Sequence, residues 1–339
     1  MKKKGENRMK GSLKKSISKA IDIIKESKKI YIGSHVQPDG DNIGSLLALG
    51  KALKKINKDV KILKVDHIPS DYEFLPGIEL IKEYEIEREL DLFVALDCSD
   101  MERLGMGKQF AENANCIINI DHHITNTNFG DINIISPSSA ATGELVYELI
   151  NEMKVEIDKD IATCLYTAIS TDTGSFIYSN TTYKTHLIVA KLLQTGIDAN
   201  NININLYQRK SLERTKLLID ALKDMEMYLD GKVGIVTVTR ELLVSNNAKL
   251  EDTEGIISFV RDIDSIEVAC LLKEIDKNEI KISMRSKENV DVSKICSKLN
   301  GGGHKRAAGC TLYNGIDNAK KTILEEIKMA FRWYYGWYY

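Results

Sequence analysis

Asp91-Leu92-Phe93-Val94-Ala95-Leu96-Asp97 is an almost unbroken apolar run that stops on a carboxylate. A strand buried on both faces reads this way, because neither face alternates to polar, and two-sided burial is the mark of a parallel strand covered by helices. Residues 116–120 (C-I-I-N-I) repeat the form and stop at Asp121. Residues 29–34 are a shorter β-rich run that ends at His35, and residues 59–65 are a fourth strand candidate. Helical patterns lie between and after them. Leu46, Leu49, Leu53 and Ile56 form one stripe, and residues 142–153, 161–170 and 185–194 read as helices, the last stopped by Gly196. Strands alternating with helices predict an α/β fold built on a doubly wound, mostly parallel sheet. In such sheets ligands bind beyond the carboxyl ends of the strands, and three of these strands end in acidic or His residues.

The rest of the chain is read outward from this block. Its 339 residues suggest two domains. Residues 1–11 read as a disordered basic tail, and Ile17, Ala20, Ile21 and Ile24 mark an amphipathic helix after it. We place the first domain at 12–196 and a polar helical linker at 197–228. A smaller α+β domain follows at 229–332, with strands at 233–238, 266–272 and 279–284, helices at 253–260 and 292–299, and a closing helix at 317–331. No internal repeat relates the halves. Seven of the last nine residues, 331–339, are aromatic, which is either a docking or oligomer contact or a frayed tail.

A net charge of −2 supplies no broad basic field for long nucleic acid, so a nucleic-acid substrate would be short and held locally. Cys98, Cys116, Cys164, Cys270, Cys296 and Cys310 form no C-x-x-C pair and read as reduced, mostly buried thiols. No signal-peptide core or run of ~18 apolar residues is present, so no membrane is expected and the cytoplasm is the default compartment.

Chemistry concentrates at the strand ends. His35-Val36-Gln37-Pro38-Asp39-Gly40-Asp41 places one imidazole and two carboxylates between a strand and a helix. Pro38-Asp39-Gly40 makes a turn and Asp41 an N-cap. Those roles leave His35 unexplained and do not exclude ligation. Asp97, Asp121 and Asp172 could each cap an element, and His122-His123 alone could be decoration. Taken together, however, they gather several oxygen donors and a few imidazoles in one domain. Two divalent ions ~3.5–4 Å apart clamp the attacking and leaving oxygens of a phosphoryl transfer, and they need a shared carboxylate and an acidic surround. That donor mix suits Mn²⁺, with Mg²⁺ or Co²⁺ as alternatives. His67 and His186 are set aside, the first because no motif in the sequence pairs with it, the second as a partly buried helix residue.

H-V-Q-P-D-G-D at 35–41, A-L-D-C-S-D at 95–100, I-D-H-H at 120–123 and T-D-T-G at 171–174 resemble the four motifs of the DHH phosphoesterase superfamily. G-G-G-H-K-R-A-A-G at 301–309 resembles the signature of the accessory DHHA1 domain. The resemblance covers residues 15–330 and is nearest to the oligoribonuclease/pAp-phosphatase (nanoRNase A) type. It implies an active site in a cleft between the two domains. It further implies that His35 and Asp39 bind a first metal and Asp41, His122 and Asp172 a second, with Asp97 bridging. Asp121 would orient His122, and His123 would sit by the substrate phosphate as donor or proton relay. Gly301, Gly302 and Gly303 would offer backbone N–H groups to phosphate, aided by Arg285, His304 and Arg306.

The activity so implied is hydrolysis of short RNA oligonucleotides to mononucleotides and of 3′-phosphoadenosine 5′-phosphate (pAp) to AMP, with a homodimer as an open possibility. Within the same chemistry, the alternatives are a phosphodiesterase for cyclic or linear dinucleotides, a RecJ-like single-strand exonuclease and a pyrophosphatase. A RecJ-like exonuclease usually has an added OB-type domain, and a pyrophosphatase should carry a different second domain without the G-G-G-H run. A non-catalytic nucleotide-binding module is the alternative of another class, and it predicts a lost ligand where none is lost.

Overall fold

The computed structural model describes residues 2–87 and 89–335, with side chains described for 11–87 and 89–332. The chain divides into two compact units, Met1–Arg209 and Lys210–Tyr339.

The first unit contains α1 (Lys2–Glu26), β1 (Lys29–Ser34), α2 (Gly40–Lys55), β2 (Asp59–Leu63), β3 (Ile81–Lys82), β4 (Leu92–Leu96), α3 (Gly107–Glu112), β5 (Ile117–Asp121) and β6 (Ile132–Ile135). Then come α4 (Thr142–Glu152), α5 (Lys159–Asp172), α6 (Tyr183–Gln194) and α7 (Ala199–Tyr207). The sheet has the order β3-β2-β1-β4-β5-β6, with every pair parallel. Side-chain alternation explains the two-sided burial. Leu92, Val94 and Leu96 enter the core beneath α1, α2, α4 and α5, while Phe93 and Ala95 enter a second core with Tyr31, Leu63 and Phe110. Helices α2 and α5 approach closely because residue 44 is Gly: a Cβ there would lie 2.5 Å from the Cys164 carbonyl oxygen.

The order reverses between β1 and β4, so the chain leaves their carboxyl ends in opposite directions and opens a crevice. Register pairs Ser34 with Leu96, and Leu96 with Ile120. His35, Asp97 and Asp121 are therefore delivered side by side at that crevice. Asp91 lies just outside β4, and its carboxylate accepts the backbone N–H groups of Lys28 and Lys29.

Several expectations change. Helix α1 begins at Lys2, so the segment read as a disordered basic tail continues the helix. The expected linker divides: α7 ends the first unit, and α8 (Leu212–Lys223) packs its Leu217 and Ala221 into the second. The closing helix runs on to Tyr335, and Phe331 is buried in the second unit's core rather than in a frayed tail. Residues 336–339 lie outside the described residues. His186 sits on α6 as read, but on its exposed side.

After α8 the second unit contains β7 (Glu226–Tyr228), β8 (Val233–Val238), α9 (Arg240–Ser245), α10 (Ile256–Asp262), β9 (Val268–Glu274), β10 (Ile280–Ser286), α11 (Val292–Lys298), β11 (Gly302–His304), β12 (Ala307–Leu312) and α12 (Ile316–Tyr335). Its sheet order is β11-β12-β10-β9-β8-β7, antiparallel except for β8 with β9. One face packs Ile280, Ile282 and Met284 against α11 and α12. On the other face Val236, Val238, Ala269 and Leu271 pack under α8 and α10. All six cysteines are free thiols, as read, and among the described residues no helix is long and apolar enough to cross a membrane.

Candidate metal centre

The 35–41 segment is held by its own chain. Val36 N–H donates to Arg103 O at 2.8 Å, and Gln37, in the left-handed region at φ 59°, donates its N–H to the Asp66 carboxylate at 2.9 Å. Buried Asn42 ties β1 to α2, accepting from Ser34 Oγ and donating to His35 O. Asp39, not Asp41, is the N-cap of α2: its Oδ1 accepts the Asn42 N–H at 3.0 Å. Asp41 lies in the first turn and points across to α4. Its Oδ2 accepts Thr142 N–H at 2.6 Å, and its Oδ1 accepts Gly143 N–H at 2.9 Å and Ser45 Oγ at 3.1 Å. A helix N-terminus suits a carboxylate, since its first N–H groups have no partner in the helix and carry partial positive charge.

Asp97 leaves β4 at φ 54°, a strained conformation for a residue with a side chain. Its Oδ2 is 3.3 Å from His35 Nε2, and its Oδ1 accepts Thr142 Oγ1–H at 3.0 Å. His35 Nδ1 lies 2.7 Å from Val36 O, and His122 Nδ1 lies 3.3 Å from Ser139 O. A carbonyl can only accept, so each Nδ1 carries a proton, and Nε2 is the atom either ring has to offer a cation. His122 Nε2 stands 3.4 Å from Asp172 Oδ2, 3.7 Å from Asp97 Oδ1 and 3.9 Å from Asp41 Oδ2.

Asp121 does not orient the His122 imidazole as the resemblance implied. It accepts the His122 backbone N–H at 2.8 Å and binds the His123 ring, Nδ1 to Oδ1, at 2.6 Å. Asn126 Nδ2 completes it at 2.6 Å to Oδ2. The first ring is engaged by Ser139 O, and the second, two residues beyond Asp121, reaches the strand-end carboxylate.

The electrostatics show a site short of positive charge. Burial, then repulsion from Asp97, Asp172 and Asp39, pushes the Asp41 carboxyl well above its usual range. Burial likewise pushes Asp172 up to about 7, with Asp39 and Asp97 adding to it against the pull of His122. Burial would raise Asp97 as well, but the His35 hydrogen bond and the His123, His35 and His122 charges hold it below its usual value. Burial opposes protonation of His123, yet the Asp121 hydrogen bond and the Asp97, Asp121 and Asp172 charges carry it up to about 9.

This environment fits divalent cations. His35, Asp39 and Asp97 have ligand atoms within 4.8 Å of one another, as do Asp41, His122 and Asp172. Asp97 with His122 and His123 forms a third such group, so His123 is also placed as a potential ligand. Oxygen-rich donors with a few imidazoles are the set for a hard or borderline cation. Sequence reading missed Thr142, which touches both Asp41 and Asp97, and Asn126. The signal for Thr142 was A-A-T-G-E opening a helix beyond the fourth long strand.

In the second unit, Arg285 and His304 flank Ala307 in one row of paired residues. The glycines are not a loose turn. Gly301 N–H is taken by Cys296 O at 2.8 Å, a Cβ on Gly301 would lie 2.2 Å from Gly309 O, and Gly302 and Gly303 pair with β12. Arg306 lies in the β11–β12 turn, with its carbonyl accepting Ser286 N–H and its Nη1 buried without a hydrogen-bond partner.

A crevice at a strand-order reversal, lined by carboxylates and imidazoles arranged for two cations, defines the class: a metal-dependent phosphoesterase. Residues 29–169 match the DHH family N-terminal domain and residues 231–332 the DHHA1 domain. The chain belongs to the DHH family. It is 34% identical over 307 residues to the Thermus thermophilus "Bifunctional oligoribonuclease and PAP phosphatase NrnA", covering 88% of this chain and 89% of that one. The Bacillus subtilis protein of the same name is 25% identical, covering 84% and 90%. A crystal structure of an exopolyphosphatase-related protein from Bacteroides fragilis matches with a TM-score of 0.87 and 30% identity over 93% of this chain and 96% of that one.

Proposed function

We propose that this chain hydrolyses short oligoribonucleotides to mononucleotides and pAp to AMP and phosphate, with Mn²⁺ as the working metal. The observation that carries the reading is the pair of ligand groups meeting at Asp97 beside His123. The names of the Thermus and Bacillus relatives support the substrate class. His35, Asp39 and Asp97 would hold one cation and Asp41, His122 and Asp172 the other, with Asp97 shared. Cations held there stabilise charge on the phosphoryl oxygens and the leaving group.

The protein's own groups do the rest. Asp121 holds the His123 Nδ1–H, and the Asp121 and Asp97 carboxylates favour the protonated ring. Its Nε2–H is the proton to give to a phosphoryl or leaving oxygen. Thr142 and the α4 backbone fix the angles of Asp41 and Asp97. Arg285, His304, Arg306 and Gly301 to Gly303 supply contacts to the remainder of the substrate.

Purified protein with Mn²⁺ should release mononucleotides from dinucleotides and phosphate from pAp, and Asp97→Ala should lose more than about a hundredfold. A native protein inactive on both substrates would overturn the reading.

A further inference from the structure

Beneath the Asp121–His123 pair lies a second tier of side chains. Strand β5 turns Ile118 and Ile120 into the core under the helices, so Asn119 points to the opposite face, where it is fully buried. A buried amide costs free energy unless its groups are bonded. Asn119 Nδ2 donates to Cys98 O at 3.0 Å, and Asn119 Oδ1 accepts from Asn126 Nδ2 at 2.8 Å. Asn126 Nδ2 is also 3.1 Å from Cys98 O and 2.6 Å from Asp121 Oδ2. Its own Oδ1 takes the Asn128 N–H at 2.7 Å, which fixes which end of the amide is the nitrogen. One amide nitrogen thus joins the chain just past Asp97, strand β5 and the Asp121 carboxylate.

The two oxygens of Asp121 do different work. Oδ1 accepts the His122 backbone N–H and the His123 Nδ1–H, while Oδ2 accepts from Asn126. Turning the carboxylate about its Cβ–Cγ bond would exchange the oxygens or tilt Oδ1 off the His123 ring. A donor fixed on Oδ2 opposes that motion, and hydrogen bonds to a carboxylate are the stronger kind. His123 Nδ1 lies 3.6 Å from Asp97 Oδ1, so the angle of Asp121 also sets the imidazole against the shared carboxylate. The same loop has another tie that leaves Asp121 untouched: Thr127 gives its N–H and its Oγ1–H to Ser99 O at 2.8 and 3.2 Å.

We propose that Asn126 is a positioning residue: anchored by Asn119, it locks Asp121 Oδ1 onto the His123 ring and so aims that ring at the reacting phosphoryl group. The aim of His123 rests on the function proposed above; the lock on Asp121 rests on the hydrogen bonds.

The test uses the full-length chain. With six histidines in the sequence, ¹⁵N-histidine labelling in EDTA gives few enough signals to follow the His123 Nδ1–H, identified by its loss in His123→Gln. The signal should be present in the native chain, vanish in Asn126→Leu and persist in Thr127→Val. With Mn²⁺, Asn126→Leu should lower kcat on a diribonucleotide about a hundredfold, with KM within about threefold of native, because the leaving oxygen needs a well-aimed proton. On bis(p-nitrophenyl) phosphate, whose leaving group departs without a proton, the loss should stay below about threefold. Asn126→Ser, too short to reach Asp121, should repeat the pattern and stands in if the leucine protein is unstable. A native chain without the signal, a native-like signal in both Asn126 variants, equal losses on the two esters, or a Thr127→Val protein with the same losses would each overturn the assignment. A native chain that hydrolyses neither ester yet keeps the signal pattern would sink the phosphohydrolase reading and leave the lock on Asp121 in place.

Discussion

Asp39 does two jobs that can be separated chemically. It caps α2 by accepting the Asn42 N–H, and it contributes an oxygen to the group with His35 and Asp97. Asn is as good an N-cap as Asp, but it is a far poorer ligand for a hard cation. Asp39→Asn should therefore lower Mn²⁺ occupancy by one ion per chain, while Asp39→Ala should do the same and cost about 1 kcal/mol more in stability. Both variants remove the same charge from the crowd around Asp41 and Asp172, so their difference isolates the cap. Metal analysis and urea unfolding of the two proteins check this; equal stabilities would mean the cap is worth nothing here.

At the scale of elements, the N-terminus of α4 is the device that organises the site. Thr142 gives its N–H to Asp41 and its hydroxyl to Asp97, and Gly143 gives a second N–H to Asp41. One helix end thereby sets one carboxylate in each ligand group. Thr142→Val keeps the shape and the backbone donors but removes the hydroxyl. It should weaken Mn²⁺ binding by about tenfold to a hundredfold in calorimetric titration, with Thr142→Ser close to native. If the valine protein titrates like the native one, Asp97 is positioned by other groups.

For the molecule as a whole, the crowded carboxylates make the metal-free state pH-sensitive in a defined direction. Asp172 titrates near 7 folded against an ordinary 3.8, and His123 near 9 against 6.5. Both bind a proton more tightly when folded. Their stabilisation is complete below the unfolded values and is lost as pH rises through the folded ones. Asp97 has the opposite sign, but its depressed folded value puts that loss below 3.8. In EDTA the melting temperature should fall from about pH 5 to about pH 9, and Mn²⁺ should abolish most of the fall by taking the place of the protons. Scanning calorimetry at three pH values decides it; a flat or rising metal-free curve contradicts the electrostatics described.

Much of this was legible because it is written in local pattern. The run ending at Asp97 could only be a strand buried on both faces, and β1 and β8 occupy the spans their apolar residues marked. His35, Asp97 and His122 stood just past strand ends, where parallel sheets present them, and Asp39, Asp41 and Asp172 at helix ends. Other features had no local signature. Strand β6 and the β11 arm of the β11–β12 hairpin are short, and a glycine run carries no periodicity to reveal that Gly302 lies beside Gly309. Asp41 was read as a cap because caps are local, whereas its actual partner, the start of α4, is about a hundred residues away. The resemblance gave Asp121 the His122 ring, and the structure pairs it with the His123 ring instead. The sequence by itself determined which residues carry the chemistry and the kind of sheet that gathers them. Only the tertiary structure decided which carboxylate holds which imidazole, because hydrogen bonds between distant segments are set by register and packing.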